Sequence, residues 1–304
     1  VMETRAMRDP QAPLRVLFMG RLDPQKGVHR LSSIYHALAL RAPRINLTIA
    51  GGSVVDAARA EFSFPRQTRM LGPVRGQESL TLLLADAEEA PDGELPLVQT
   101  LAPQVDGILL CSSRMSESDL EAASGLTRLC LVNRRHRDLS SVSFDALSGV
   151  RAAVRHLAAL GHRRIGYVGG PRASRSEAER RTALEQVGAE LEVEIVDVGH
   201  FPPGIQGGVS AAEPLLLREL SAALAYNDVL ALGLISGLRS LGFSVPADIS
   251  VVGWDDIEYA GVSSPALSTV RVPRHRIGAL GIDALVAPDG AVTEQRLETR
   301  FVPR

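Results

Sequence analysis

His156-Leu-Ala-Ala-Leu-Gly-His-Arg-Arg-Ile-Gly-Tyr-Val-Gly-Gly-Pro171 is the stretch that decides the fold. It ends a helix-like segment (Ser148–Leu160), stops it at Gly161, runs a short apolar strand over Arg164–Val168 and turns at Gly-Gly-Pro. Glycine after the last periodic residue is the ordinary way for a helix to stop. Helix, stop, strand and turn in that order mark a parallel sheet covered on both faces.

The same alternation extends both ways. Downstream, Ala178–Leu191 reads as a helix, Glu194–Val198 as a strand, Val209–Leu217 as a helix, Ala222–Tyr226 as a strand, Val229–Leu241 as a helix and Ile249–Gly253 as a strand. Upstream, Leu14–Met19, Ile45–Ala50, Arg69–Leu71, Ser79–Ala85, Gly107–Cys111 and Arg128–Val132 are strand candidates, with helices expected at Val28–Leu40 and Asp56–Phe62. A chain of 304 residues suits two such lobes rather than one core.

The composition narrows the function. With 45% hydrophobic and 22% charged residues the chain reads as globular, and no apolar run reaches the roughly 18–20 residues of a bilayer span. The start, Val1-Met-Glu-Thr-Arg, is polar and has no apolar h-region, so the expectation is a cytoplasmic protein without membrane contact. A net charge of −2 gives no global case for nucleic acid, and Lys26 is the only lysine among 33 basic residues, a bias that fits a bacterial, GC-rich coding sequence. Cys111 and Cys130 lie in apolar strand-like runs and read as structural thiols. The seven histidines show no metal-ligand spacing, and His156 and His162 read as helix-end residues. No hydrolase or redox motif is present, so neither catalytic residues nor a cofactor are expected.

Several motifs recur in a fixed order: Val105-Asp-Gly-Ile-Leu-Leu-Cys-Ser-Ser113, Cys130-Leu-Val-Asn-Arg134, the His156–Pro171 stretch, Ala225-Tyr-Asn-Asp-Val-Leu-Ala-Leu-Gly233, Val245-Pro-Ala-Asp-Ile-Ser-Val-Val-Gly-Trp-Asp-Asp256 and Ser264-Pro-Ala-Leu-Ser-Thr-Val-Arg-Val-Pro273. From about Ser79 to the C-terminus they resemble the effector-sensing domain of LacI/GalR-type transcriptional regulators. The resemblance implies a periplasmic-binding-protein-like α/β fold of two doubly wound parallel-sheet lobes. It also implies a small-molecule, sugar-like effector and a homodimer. The lobes are expected at 14–144 plus 267–286 and at 145–266, with a C-terminal strand segment at 287–304. Nothing in residues 1–78 reads as a helix-turn-helix, so no direct DNA binding is expected from this chain alone.

Ligands of doubly wound sheets bind beyond the carboxyl ends of the strands, and polar residues fall at those ends here. The resemblance assigns effector contacts to Ser112, Asn133, Phe144, Arg180, Phe201, Asn227 and Asp255, which two lobes would bring to one cleft. Each has a plainer reading. Asn227 and Asp255 could cap the helices after them, Arg180 could sit on a solvated helix face, Phe201 could anchor a loop, and Ser112 could end a strand.

Residues 1–78 differ in character. Arg15-Val-Leu-Phe-Met-Gly-Arg-Leu-Asp-Pro-Gln-Lys-Gly-Val-His-Arg-Leu31, Leu47-Thr-Ile-Ala-Gly-Gly52 and Leu71-Gly-Pro-Val-Arg-Gly76 resemble the nucleotide-sugar-binding domain of retaining GT-B glycosyltransferases. That resemblance implies a βαβ segment merged into the first lobe, with phosphate contacts at Arg21 and Lys26, and a chimeric chain. The family's catalytic segment has no counterpart, so transfer activity is not expected. The alternatives to an effector sensor are a glycosyltransferase fragment or a fusion without function.

Overall fold

The computed structural model describes residues 14–19, 44–50, 79–85, 91–287 and 291–304, with side chains from residue 93 onward. The helices expected at 28–40 and 56–62, the strand at 69–71 and the candidate phosphate contacts Arg21 and Lys26 lie outside the described residues. No helix among the described residues is long and apolar enough to cross a membrane.

The chain forms two compact units, Val1–Ser143 with Arg274–Gln295 and Phe144–Pro273 with Arg296–Arg304, so it passes from one to the other three times. Strands β1 (Leu14–Met19), β2 (Arg44–Ala50), β3 (Ser79–Ala85), β4 (Gly107–Cys111), β5 (Arg128–Val132), β6 (Ser140–Asp145) and β12 (Glu294–Glu298) form one sheet in the order β12-β6-β5-β4-β1-β3-β2, which belongs to the first unit except for the last residues of β6 and β12. The pairs from β2 through β6 are parallel. Strand β1 lies between β3 and β4, so the N-terminal segment and the later motifs share one sheet. Helices α1 (Pro91–Leu101) and α2 (Glu117–Ser124) cover β4 and β5 with a core of Val98, Ile108, Leu110, Leu120 and Leu131.

The second unit's sheet runs β13-β11-β10-β9-β7-β8, with β7 (Arg164–Gly169), β8 (Glu194–His200), β9 (Ala222–Ala225), β10 (Ser250–Asp255) and β11 (Ser268–Arg271) parallel and β13 (Arg300–Val302) antiparallel to β11. Helices α3 (Ala146–Ala159), α4 (Arg175–Leu191), α5 (Ile205–Leu216), α6 (Asp228–Ser240) and α7 (Glu258–Val262) connect these strands, and α8 (Arg274–Val286) belongs to the first unit. The helix starts are chemically marked. Asp145 accepts from the N–H groups of Leu147 and Ser148, and Ser174 from that of Glu177. Gly161, at φ 96°, takes the left-handed conformation that ends α3. Strands buried along their length, Ala222–Ala225 for one, explain why the sequence shows continuous apolar runs instead of alternation.

One boundary is corrected. Residues 267–273 were expected with the first lobe, yet β11 pairs with β10 over Ser268–Arg271 and belongs to the second unit. The closing segment is also divided, β12 joining the first sheet and β13 the second. His156 does not simply end its helix: its ring packs against Phe301 at 4.9 Å between centroids. His162 bridges the hydroxyls of Ser221 (2.8 Å) and Ser250 (3.0 Å). Burial holds its pKa below the ordinary imidazole value.

Candidate functional site

In the second sheet the chain steps from β7 to β8, then crosses to the other side of β7 for β9 and continues outward. The carboxyl ends of β7 and β9 are therefore a topological switch point, the place where such sheets take ligands. β7 ends in Gly169 and is followed by Gly170-Pro171, Tyr226-Asn227 follows β9, and β10 ends in Trp254-Asp255.

Arg180 reaches this point from α4. It is 3% exposed, and its guanidinium carbon lies 4.5 Å from the Tyr226 ring centroid and 4.4 Å from that of Trp254. A flat cation in contact with two π faces gains from both rings. Its Nη1 donates to the carbonyl of Tyr226. Arg180 Nε and Trp254 Nε1 are buried donors that meet no acceptor among the described residues. Trp254 is fully buried, and the Phe144 ring lies 6.3 Å from it, tilted at 46°. Stacking occupies the rings, so only the edge of the guanidinium has donors to offer an acceptor.

The two glycines at the end of β7, Gly169 and Gly170, bring this cluster together. A Cβ on Gly170 would sit 2.5–2.6 Å from the Cδ atoms of Tyr226, whose ring therefore lies directly against the glycine. A Cβ on Gly169 would meet Glu177 Oε1 at 2.8 Å and Arg181 Nη2 at 3.0 Å. Glu177, 2% exposed, accepts from Tyr167 Oη at 2.6 Å, Gly170 N at 2.9 Å and Arg181 Nη2 at 3.0 Å. Arg181 also pairs with Asp197 at 3.1 Å. His200 lies 2.8 Å from the Gly170 carbonyl through Nδ1 and 3.2 Å from Arg181 through Nε2. A carbonyl only accepts and a guanidinium only donates, so in these two contacts Nδ1 is the donor and Nε2 the acceptor. Burial, opposed by the charge of Arg180 and reinforced by Glu177, pushes the Tyr167 phenol well above its ordinary pKa.

A second group of carboxylates gathers Asp228, at the start of α6, with Asp255 at the end of β10 and Asp256 just after it. Asp228, fully buried, accepts from Ile257 N at 2.8 Å and from the Thr269 hydroxyl. An added Cβ on Gly253 would collide with its Oδ1, which explains the glycine there. Burial first, and then the charge of Asp255, push the Asp228 carboxyl up to about 8. Asp255 and Asp256 have φ of 111° and 54°, left-handed values that L residues seldom adopt. Burial of Asp256 would raise its pKa, but hydrogen bonds from Arg304 and Arg271 outweigh that and hold it low.

The expected contacts divide into groups. Phe144, Arg180 and Asp255 share the Trp254 end of the second sheet, and Arg180 is not on a solvated face. Asn227 is the cap of α6: its Oδ1 accepts from Leu230 N at 2.8 Å, and its Nδ2 donates to Pro203 O at 3.3 Å. Phe201 packs on the core formed by α5, α6 and β9, as a loop anchor does. In the first unit, Ser112 follows β4 and Asn133 follows β5, with φ of 54° and 59°. The loop after Ser112 is held by two buried charges. Glu94 accepts from Ser113 Oγ and Arg114 N, and Arg134 donates to the carbonyls of Ser113 and Met115. The partners sequence reading missed, Tyr226, Trp254 and Glu177, had one available signal: Tyr226 and Trp254 stand directly before Asn227 and Asp255.

Residues 154–304 match the family model of the periplasmic binding protein-like domain. The chain is 31% identical over 258 residues to the HTH-type transcriptional regulator reg1 of Streptomyces lividans, covering 79% of this chain and 74% of that protein. It is 39% identical over 169 residues to an uncharacterized HTH-type transcriptional regulator in the aml 5′ region of Streptomyces limosus, covering 53% of this chain and 48% of the relative. The chain thus spans about half the length of one curated relative and about three-quarters of the other. A solved LacI family transcriptional regulator from Arthrobacter sp. FB24, in complex with lactose, superposes with a TM-score of 0.72 at 22% identity over 96% of this chain and 98% of that one. At that identity the likeness is one of fold.

Proposed function

Because this chain belongs to the LacI/GalR family of transcriptional regulators and forms its effector-binding core, we propose that it senses a sugar or similarly hydroxylated small metabolite at the carboxyl ends of β7, β9 and β10. The observation that carries this reading is the stacked Arg180. Among the described residues its guanidinium makes a single hydrogen bond, to Tyr226 O, and both of its faces are covered. What remains is an edge of fixed direction, suited to ligand hydroxyl or carboxylate oxygens, with Asp255 on the neighbouring strand as an acceptor for hydroxyl groups. A ligand held there shifts the regulator's conformational equilibrium only by its difference in affinity between states. Ser112 and Asn133, at their strand ends in the first unit, are proposed as further effector contacts. Asn227 and Phe201, besides serving as cap and anchor, and Phe144 beside Trp254 are proposed contacts of the same effector.

The relatives are transcriptional regulators and not enzymes, and the lactose bound to the Arthrobacter regulator supports a sugar as the first class to try. The protein is proposed to work as a homodimer, with exposed Tyr259 and Val262 on α7 as apolar surface for pairing; sedimentation velocity reads the mass. The glycosyltransferase character of residues 13–78 is likewise a proposal from motifs, and a calorimetric titration with UDP-sugars tests it. The central test is a thermal-shift screen of monosaccharides, disaccharides including lactose, sugar phosphates and purines. A saturating ligand at 100-fold its Kd should add about 2.7 kcal/mol of stability. A broad panel without one stabilising compound would remove the effector reading.

A further inference from the structure

We infer that Glu177 is a positioning residue that sets where Arg180 is held, acting through the Gly169-Gly170 turn and the Tyr226 ring without touching the effector. The inference rests on the reading of Arg180 as the effector's charged contact.

Glu177 is buried, and a buried carboxylate is costly unless its oxygens are satisfied. Its two oxygens are divided between two tasks. Oε2 takes the Tyr167 hydroxyl and the Gly170 N–H, which fixes the end of β7. Oε1 takes Arg181, and His200 Nδ1 stands 3.7 Å from it. The peptide N–H of Gly170 is thus tied to Glu177, while the Cα of the same residue bears the Tyr226 ring. That ring is fixed at its far end as well, its hydroxyl 3.0 Å from Ser174 Oγ, the cap of α4. Its face carries Arg180, and its own carbonyl accepts from Arg180 Nη1. Any shift of Gly170 therefore reaches Arg180 through a ring with no slack on its glycine side. Glu177 and Arg180 stand three residues apart on α4, so one helix sets both ends of this chain of contacts.

The neutral amide in Glu177→Gln tests the idea sharply. All the groups facing the carboxylate can donate, so the carboxamide NH2 must oppose either the Gly170 N–H or Arg181. Tyr167→Phe removes one donor alone and is the milder companion. Trp254, the only tryptophan of the chain, lies against Arg180 and reports the arrangement optically.

The experiment uses the full chain. It measures Trp254 emission and acrylamide quenching without ligand, affinity for the best sugar of the panel, and far-UV circular dichroism as the check on folding. Glu177→Gln should red-shift the emission, at least double the quenching constant and weaken the sugar about tenfold, or ~1.4 kcal/mol. Tyr167→Phe should do the same to a smaller extent. A purely structural role would lower the melting temperature and leave the emission of the folded protein unchanged. Folded variants with wild-type emission and affinity overturn the inference while the effector reading stands. Altered emission in a chain whose wild type binds no sugar supports the positioning role and removes the effector reading. If Glu177→Gln does not fold, Tyr167→Phe decides, and wild-type emission there overturns the inference.

Discussion

Replacing Arg180 by alanine should destabilise the protein, although the residue is proposed as a ligand contact. Two ring faces lie 4.4 and 4.5 Å from its guanidinium carbon. Each such contact contributes ~0.5–2 kcal/mol when desolvated. The charged hydrogen bond to the Tyr226 carbonyl adds ~1.5–3 kcal/mol. Against these stands the cost of burying the cation, of several kcal/mol before compensation. The truncation also leaves space between two aromatic rings and takes a charged donor from the Tyr226 carbonyl, so the net loss is about 3 kcal/mol. Arg180→Lys keeps the charge but has no plane to stack, and should recover less than half of that loss. Urea unfolding followed by both Trp254 emission and circular dichroism gives the numbers, and the two probes should agree. A loss under about 0.5 kcal/mol for Arg180→Ala, the scale of an ordinary surface change, would refute the stacked arrangement.

Two other perturbations probe the same end of the sheet. Gly170→Ala should cost ~1–3 kcal/mol by overpacking against the Tyr226 ring and should weaken sugar binding; full retention of affinity would show that the ring is free to move. Asp228 has a folded-state pKa raised from 3.8 to about 8, so its folded form holds a proton that the unfolded form has lost. Its contribution to stability is complete below the unfolded value and disappears as pH rises through about 8, at up to ~1.4 kcal/mol per pH unit between the two. Urea midpoints from pH 5 to 9 should therefore fall more steeply for wild type than for Asp228→Asn, and parallel profiles would argue against a protonated Asp228.

The fold was readable because its signals are local. Gly161 ends α3, Ser174 and Asp145 begin helices, and the buried strands appear as apolar runs whose order reproduces a doubly wound sheet. The site was less readable because its decisive contacts are not local. Arg180 meets a ring 46 residues away, and no spacing rule distinguishes a charged helix residue that turns inward from neighbours that stay in solvent. Asn227 shows the opposite difficulty. A cap and a ligand contact call for the same residue at a strand end, and the amide is engaged on both sides by Leu230 and Pro203. Segment 267–273 was misplaced because a strand's partners depend on its neighbours in space, and β11 found β10.

The three passages of the chain between the two units affect how the molecule can be taken apart. Residues 144–273 cut out as a fragment would keep the stacked arginine but lose β13, leaving β11 as a bare edge ready to pair with another molecule. The fragment would also lack Arg304, one of the two cations on Asp256, and Thr299, whose hydroxyl bonds the Asp145 carbonyl at the start of α3. Neither unit is a single stretch of chain, and in the second unit β13 completes a sheet that begins some 130 residues earlier.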